Sequence, residues 1–141
     1  MNRLKLLIVS SLLVSLSGCA VIEKMYDAYF MAGYDNQEYA LINIIRTNAE
    51  LNITMCNNHE ASKRTFEYLY TKGLEVKNFT QYIPNNTDAY KLSGNIYELT
   101  KQGRDAYNSD AIVSSTFCKL KLQQIVRASE TAQKVIGSKP R

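Results

Sequence analysis

Three cysteines and one histidine are the side chains of this chain best suited to act as nucleophiles, redox groups or metal ligands: Cys19, Cys56, Cys118 and His59. Zinc and haem sites need such residues at short spacings, as in the CxxC, CxxCH and HExxH patterns. The sequence contains none of these patterns, and His59 lies in a polar stretch without a second histidine. We therefore expect His59 at the surface, and we predict neither a metal site nor a cofactor.

Pairs of carboxylates are the other groups that could perform acid–base chemistry, provided that they share a cleft. Glu23 and Asp27 lie four residues apart, and Asp35 and Glu38 lie three apart. At these spacings both members of a pair lie on one helix face, where solvated, ion-paired side chains are the commoner arrangement. The GxSxG and P-loop motifs are also absent from the sequence. These observations favour a protein that is not an enzyme.

Cys19 stands at the end of a distinctive N-terminal pattern. Arg3 and Lys5 precede an apolar run over 6–16, which is far shorter than the roughly 20 residues of a membrane-spanning helix. The run leads into Leu16-Ser17-Gly18-Cys19, where small residues precede the cysteine. This arrangement resembles a bacterial lipoprotein signal peptide with its lipobox.

The resemblance implies a lipid anchor on Cys19. In such lipoproteins the thiol receives a diacylglyceryl group, the preceding peptide (here 1–18) is removed, and the new N-terminus often gains a further acyl chain such as palmitate. Two or more chains hold a protein stably on a membrane. Ala20 is not the Asp that retains enteric lipoproteins in the inner membrane, which implies the outer membrane of a Gram-negative bacterium, facing the periplasm. The alternative is an ordinary cleaved signal peptide that leaves Cys19 as a free thiol.

Removal of 1–18 would leave one domain of 123 residues, 19–141, with 15 basic and 13 acidic side chains. A net charge of +2 gives little support to a nucleic-acid partner. From Thr100 onward, however, there are 8 basic and 3 acidic residues. This basic excess predicts either a solvated helix face with a frayed tail, or a docking surface for an acidic protein, anionic lipid or anionic glycan. Its members near the C-terminus are Lys119, Lys121, Arg127, Lys134, Lys139 and Arg141.

Helical periodicity dominates the chain after Cys19, and it predicts an all-α, up-down bundle of about four helices. Between these helices, 79–86 is the clearest loop, because Pro84 disfavours helix at the residue before it. Residues 137–141 are expected to be a flexible tail. The expected helices run from an Asp35 or Asn36 cap to about 56, from about 60 to 78, from a Thr87 or Asp88 cap to about 106, and from about 111 to 136.

Cys56 and Cys118 each lie on the apolar stripe of a predicted helix. In an oxidising periplasm, two inward-facing cysteines usually form a disulfide, so we predict one between them. The alternative is a pair of buried free thiols. If the last helix began at Ala111, the two cysteines would differ in height by about two and a half turns. The bridge therefore requires the first helix to end early or the last helix to begin late.

The chain contains ten tyrosines and no tryptophan, and so small a domain cannot bury all of them. Exposed tyrosines are typical of binding surfaces. We predict contacts to a partner through two regions, the loop beside Pro84 and the basic C-terminal segment. The candidate partner-binding residues are Tyr82, Ile83, Lys119, Arg127 and Lys134.

These features predict a non-enzymatic cell-envelope lipoprotein that acts by protein–protein contact. It would be an accessory subunit of an envelope complex or an exclusion or inhibitor factor, with membrane lipid and an unknown envelope protein as its partners. The alternative is a periplasmic ligand-binding or sensor bundle, in which Gly73, Gly94 and Gly103 would leave room for a pocket. Gly73 is also expected to mark either a close helix crossing or an earlier helix end.

Overall fold

A computed structural model describes residues 32–109 and 111–141, and these residues form a four-helix bundle joined by short connections. The predicted signal peptide 1–18, the predicted lipidation residue Cys19, and the pair Glu23 and Asp27 lie outside the described residues. The helices are α1 (Asn36–Asn52), α2 (His59–Gln81), α3 (Thr87–Tyr107) and α4 (Ser115–Gly137), and a 3₁₀ turn, Ile53–Met55, extends α1. Each helix packs on its neighbours in the chain, and α1 closes the bundle against α4. The all-α, up-down prediction is thus confirmed.

Side-chain caps fix where three of the helices begin. The carboxylate of Asp35 accepts from the amides of Gln37 and Glu38 at the start of α1. Asn58 caps α2 through the Ala61 amide, and Ser114 caps α4 in the same way. Such caps satisfy backbone amides that have no partner within the helix. The Asp35 cap is therefore one of the two that the sequence predicted for α1.

α4 begins later than predicted, and this later start brings the two cysteines of the disulfide to the same height in the bundle. Residues 111–114 are non-helical instead of forming the first turn of α4, and Ser114 caps the helix. Cys118 therefore lies in the first turn of α4, level with Cys56 just beyond α1. The two cysteines form a disulfide with a Cα–Cα distance of 5.6 Å. The late start of α4 thus provides the height match that the bridge requires.

The connection between α2 and α3 is shorter than expected. α2 continues to Gln81, three residues beyond its predicted end, so the loop covers only 82–86. Asn85 takes a left-handed backbone conformation, with φ of 56°, which asparagine tolerates better than most residues. Asn86 occupies the cap position of α3, one residue before the predicted caps, but its side chain makes no cap hydrogen bond.

Two glycines allow α2 and α3 to approach closely. A Cβ atom on Gly73 would lie 2.6 Å from Thr100 Oγ1 and 3.2 Å from Tyr97 Cα. One on Gly103 would collide with the ring of Phe66, which is fully buried. Gly73 therefore marks a close helix crossing, one of its two predicted roles, and α2 does not end there.

The buried side of α3 contains two hydroxyl side chains beside leucines that are partly exposed. Leu92 and Leu99 are only half-buried, whereas the neighbouring Ser93 and Thr100 are fully buried. The two hydroxyls bond to backbone carbonyls three residues earlier, at 2.8 and 2.7 Å, which satisfies their polarity inside the bundle. Small side chains at these positions suit the close approach of α2.

Candidate functional site

The single histidine is at the surface, as predicted. His59 is exposed at the first position of α2, and its ring centroid is 5.1 Å from that of Tyr107. In the described ranges 32–109 and 111–141, no group of three or more His, Cys, Asp or Glu side chains could hold a metal ion. His59 therefore belongs to no such group among these residues.

The carboxylate pair of Asp35 and Glu38 is divided between two structural tasks. Asp35 caps α1, while Glu38 is fully buried. Glu38 Oε2 lies 2.7 Å from Lys139 Nζ, and its Oε1 accepts a 2.7 Å bond from the Asn86 amide. Asn86 Oδ1 in turn accepts from Lys139. The ion pair balances the two buried charges, and the hydrogen bonds to Asn86 occupy further polar atoms of both partners. The cluster therefore presents no free acid or base.

This buried cluster also shows that the prediction of a flexible tail over 137–141 was wrong. Gly137 is the last residue of α4, and Lys139 is buried against α1 and the α2–α3 loop. The guanidinium of Arg141 lies 5.3 Å from the ring centroid of Tyr34. Pairing of Lys139 with a buried carboxylate and a cation–π contact therefore hold this segment in place.

The predicted contact residues Tyr82 and Ile83 lie at the end of the bundle where the described chain begins. Tyr82 is 81% exposed and Ile83 is half-buried. The Ala32 amide donates to the Asn85 carbonyl at 3.3 Å, which puts the loop beside the entering chain. The C-terminal segment with Lys139 lies at the same end, which we call the entry end.

The predicted contact residues Lys119, Arg127 and Lys134 are exposed on the outer side of α4. Among the described residues, none of the three forms an ion pair. Glu130 is the only acidic residue of α4, and it turns toward α1, where its Oε1 lies 3.1 Å from Arg46. The outer face of α4 is therefore basic along its length. The α2–α3 loop residues lie at the entry end of the bundle, near the C-terminal end of this face rather than beside it.

A groove between α1 and α2 was not predicted from the sequence. It has a volume of about 360 Å³, and we call it the α1–α2 groove. Its lining consists of amide, hydroxyl and apolar side chains with a single charge, that of Arg64. The lining residues are Asn48, Asn52, Met55, Ala61, Arg64, Thr65 and Tyr68.

Exposed apolar side chains gather at this groove. Met55 is 52% exposed and Tyr68 42% exposed, and both line it. Leu51, 69% exposed, and Ile44, 37% exposed, lie on the same flank of α1, one helical turn from Asn48. These four are half of the eight large hydrophobic side chains that the described residues leave exposed. Such a cluster is typical of a contact surface, whereas single exposed apolar residues are ordinary.

A larger groove of about 540 Å³ lies between α1 and α4, and its arginine, Arg46, already contacts other side chains. Arg46 contacts Glu50 at 2.9 Å, Glu130 at 3.1 Å and Gln133 at 3.2 Å. The hydrogen bond that Arg46 donates to Glu50 raises the pKa of Arg46, with smaller contributions from the charges of Glu50 and Glu130. These saturated contacts leave Arg46 little capacity to bind a ligand.

Tyr70 and Tyr97 form a second surface cluster, across α2 and α3, with ring centroids 5.7 Å apart. Arg104 lies 3.6 Å from the centroid of Tyr70, and Lys77 lies 4.3 Å from that of Tyr97. A hydrogen bond from Tyr97, and then one from Arg104, lowers the pKa of Tyr70, while the same Tyr70–Tyr97 bond raises the pKa of Tyr97. The cations cover the rings, so this cluster joins the two helices rather than offering an open aromatic platform.

The room for a ligand that the glycines were expected to provide is largely filled. Thr100 occupies the space beside Gly73, and the Phe66 ring occupies the space beside Gly103. Gly94 has no neighbouring atom within 4 Å of a Cβ position and is not buried. These glycines therefore serve helix packing or lie at the surface, and none of them opens a pocket between helices.

The helices in the described part of the chain do not combine the length and the apolar character that crossing a membrane would require. Comparison of the whole chain with protein-family models, with curated proteins and with solved structures finds no match.

Proposed function

We propose that this protein is a non-enzymatic lipoprotein of the Gram-negative cell envelope that acts by contact with another envelope protein. It would be an accessory subunit of an envelope complex or an exclusion or inhibitor factor. The observation that carries the proposal is the cluster of exposed apolar side chains at the α1–α2 groove. The lipobox-like Leu16-Ser17-Gly18-Cys19 supports a lipid anchor at Cys19.

Chain connectivity supports a protein partner rather than lipid at the groove. Twelve residues, 20–31, separate Cys19 from Ala32 at the entry end. An extended chain of that length spans at most about 45 Å, so an acylated Cys19 would tether the bundle to the membrane through its entry end. Leu51 and Met55 lie toward the opposite end of the bundle, since α1 runs away from the entry end. The exposed apolar groove would then lie away from the tethered end.

The other predicted contact residues would contact different parts of the membrane surface or of the partner. Tyr82 and Ile83 would lie near the headgroups or at the base of the partner, where the amphipathic tyrosine ring suits both surroundings. Lys119, Arg127 and Lys134 would approach an acidic part of the same partner, because the outer face of α4 carries no competing carboxylate. Two separate surfaces that contact one partner are consistent with an accessory subunit of an envelope complex.

The alternative, a periplasmic ligand-binding or sensor bundle, has weaker support. Its pocket was expected beside Gly73, Gly94 and Gly103, and packing fills two of these places. The larger groove between α1 and α4 has its arginine already paired. No specific observation therefore favours this alternative.

In-cell cross-linking tests the proposal. A photoactivatable p-benzoylphenylalanine is placed separately at Leu51, Tyr82 and Arg127, with exposed Asn95 on α3 as the control position. We expect discrete protein adducts at one or more of the three test positions and none at Asn95. Cys19→Ser should move the protein out of the membrane fraction, abolish labelling by palmitate and deplete the adducts. Absence of protein adducts at all three positions would refute the proposed function.

A further inference from the structure

We infer that the α1–α2 groove binds an amphipathic helix of the partner protein, one that carries a carboxylate opposite Arg64. This inference rests on the proposed function, because it assumes that the partner is a protein. To the proposed function it adds that the bound segment is helical, that the segment presents an apolar face to the groove, and that the segment carries a negative charge. Contact by a helix in a groove is a recurrent mode of peptide recognition.

The exposed flank of α1 matches one face of a short helix. Ile44, Asn48, Leu51 and Met55 follow one another at spacings of four, three and four residues. At 1.5 Å per residue they extend over about 16 Å, or three turns. A bound helix with apolar residues at i, i+4, i+7 and i+11 would cover the same length, and Tyr68 on α2 would form the opposite wall.

The charge of the groove favours an acidic ligand. Arg64 is the only charged side chain in its lining, it is exposed, and no carboxylate among the described residues pairs with it. By contrast, Arg46 and Arg104 each contact at least one carboxylate. An arginine with free donors beside apolar side chains can hold a carboxylate with two hydrogen bonds.

Two amide side chains add hydrogen-bond acceptors. Asn48 donates its side-chain amide to the Ile44 carbonyl at 2.9 Å, and Asn52 donates to the Asn48 carbonyl at 2.8 Å. Their side-chain oxygens accept no hydrogen bond from any described residue. Polar side chains of a protein helix could use these acceptors, whereas an acyl chain could not.

A second copy of this chain fits the groove less well. None of the lining residues is acidic, so two grooves packed on each other would bring no carboxylate to either Arg64. The buried arginines would be left unpaired, at a desolvation cost. The partner is therefore a different segment that supplies its own carboxylate.

Mapping of the cross-link and a charge exchange test this inference in cells. The full-length protein carries p-benzoylphenylalanine at Leu51, and mass spectrometry identifies the peptide that it labels. We expect a segment with apolar residues at helical spacing and at least one Asp or Glu. Arg64→Glu should lower the adduct yield about tenfold, since it replaces an ion pair by like-charge repulsion. Lysine at the mapped acidic position should then restore the yield. Lys91→Glu, at an exposed basic residue on α3 outside the groove, is the matched control.

Several results would overturn the inference while the proposed function stands. In the cross-linking experiment, these are adducts at Arg127 but none at Leu51, and adducts at Leu51 only to a second copy or to lipid. A labelled segment without a carboxylate is another. In the charge exchange, the contradicting result is equal yields from the wild type and Arg64→Glu at equal protein levels. Failure of all positions, including Arg127 and Tyr82, would instead refute the proposed function. Arg64→Gln provides a second variant, with an expected smaller loss, should Arg64→Glu accumulate poorly.

Discussion

Lys139 and Glu38 form an ion pair across 101 residues of sequence, with Nζ 2.7 Å from Oε2. The exposed fractions of the two side chains are only 4% and 0%. Asn86 bonds to both partners, so the pair joins the C-terminal segment, α1 and the start of α3 at the entry end. A segment with the composition of a disordered tail is thereby an integral part of the bundle.

Replacement of Lys139 by methionine should destabilise the protein by about 3–5 kcal/mol, because it leaves the buried Glu38 carboxylate without a counter-charge. Urea unfolding with an unchanged m-value would measure this loss. Lys134→Met, at an exposed lysine on α4, should stay within about 0.5 kcal/mol of the wild type. Adding Glu38→Leu to Lys139→Met should recover part of the loss, and equal stabilities of the two lysine variants would contradict the structure.

Gly103→Ala should destabilise the bundle by about 1–3 kcal/mol, since the added methyl group meets the fully buried ring of Phe66. Gly94→Ala is the matched control on the same helix, where nothing lies within 4 Å. That change should be neutral or stabilise by up to about 1 kcal/mol, because alanine favours helix over glycine. Thermal unfolding would separate the two, and a stable Gly103→Ala variant would show that α2 and α3 are not in close contact there.

Removal of the disulfide by the double substitution Cys56→Ala and Cys118→Ala should lower the free energy of unfolding by about 4 kcal/mol on the chain-entropy model for a 62-residue separation. Membrane attachment through Cys19 should not change. Reduction of the wild-type protein should reproduce the loss of stability. A thiol assay on unfolded, unreduced protein should find neither cysteine free, and two reactive groups there would rule out the bridge.

Ionisation of the tyrosines should begin at Tyr70 within the Tyr70–Tyr97 pair. The hydrogen bond from Tyr97, followed by that from Arg104, lowers the pKa of Tyr70, whereas the pKa of Tyr97 is raised. In an ultraviolet titration, Tyr70→Phe should remove a phenolate that forms at lower pH than the phenolate of Tyr97. Tyr97→Phe should shift the ionisation of Tyr70 to higher pH, and Arg104→Gln should shift it in the same direction by less. No change in the early part of the titration for any variant would contradict the cluster.

Most of the architecture could be predicted from the sequence, because it depends on local periodicity. Stripes such as Leu41, Ile45 and Ala49 repeat at helical spacing, and all three side chains are buried. The start of α4 was harder to predict, since Ser109 and Ser114 are equally good caps and only tertiary packing selects the second. Tertiary packing also explains why Ser93 and Thr100 on α3 are buried. Close approach of α2 favours these small hydroxyl side chains over the leucines beside them.

The candidate site could be predicted only in part. Pairing of Glu38 with Lys139 depends on a contact between the two ends of the described chain, and no local pattern indicates it. The α1–α2 groove did leave a signal in the sequence. Ile44, Asn48, Leu51 and Met55 form a second, uncharged stripe on α1 beside the buried one. An uncharged flank on an otherwise solvated helix indicates a contact surface, but the opposing wall from α2 becomes evident only in the structure.

Recovery of a partner from cross-linked cells, compared between three forms of the full-length protein, tests the central claim most directly. Leu51→Glu places a charge in the exposed apolar cluster, and Ile112→Glu places the same charge at a 99% exposed position outside the groove. Wild type and Ile112→Glu should recover the same dominant envelope protein in equal amounts, and Leu51→Glu should recover about tenfold less. Equal recovery from all three forms, at equal levels in the membrane fraction, would contradict a contact function at the α1–α2 groove.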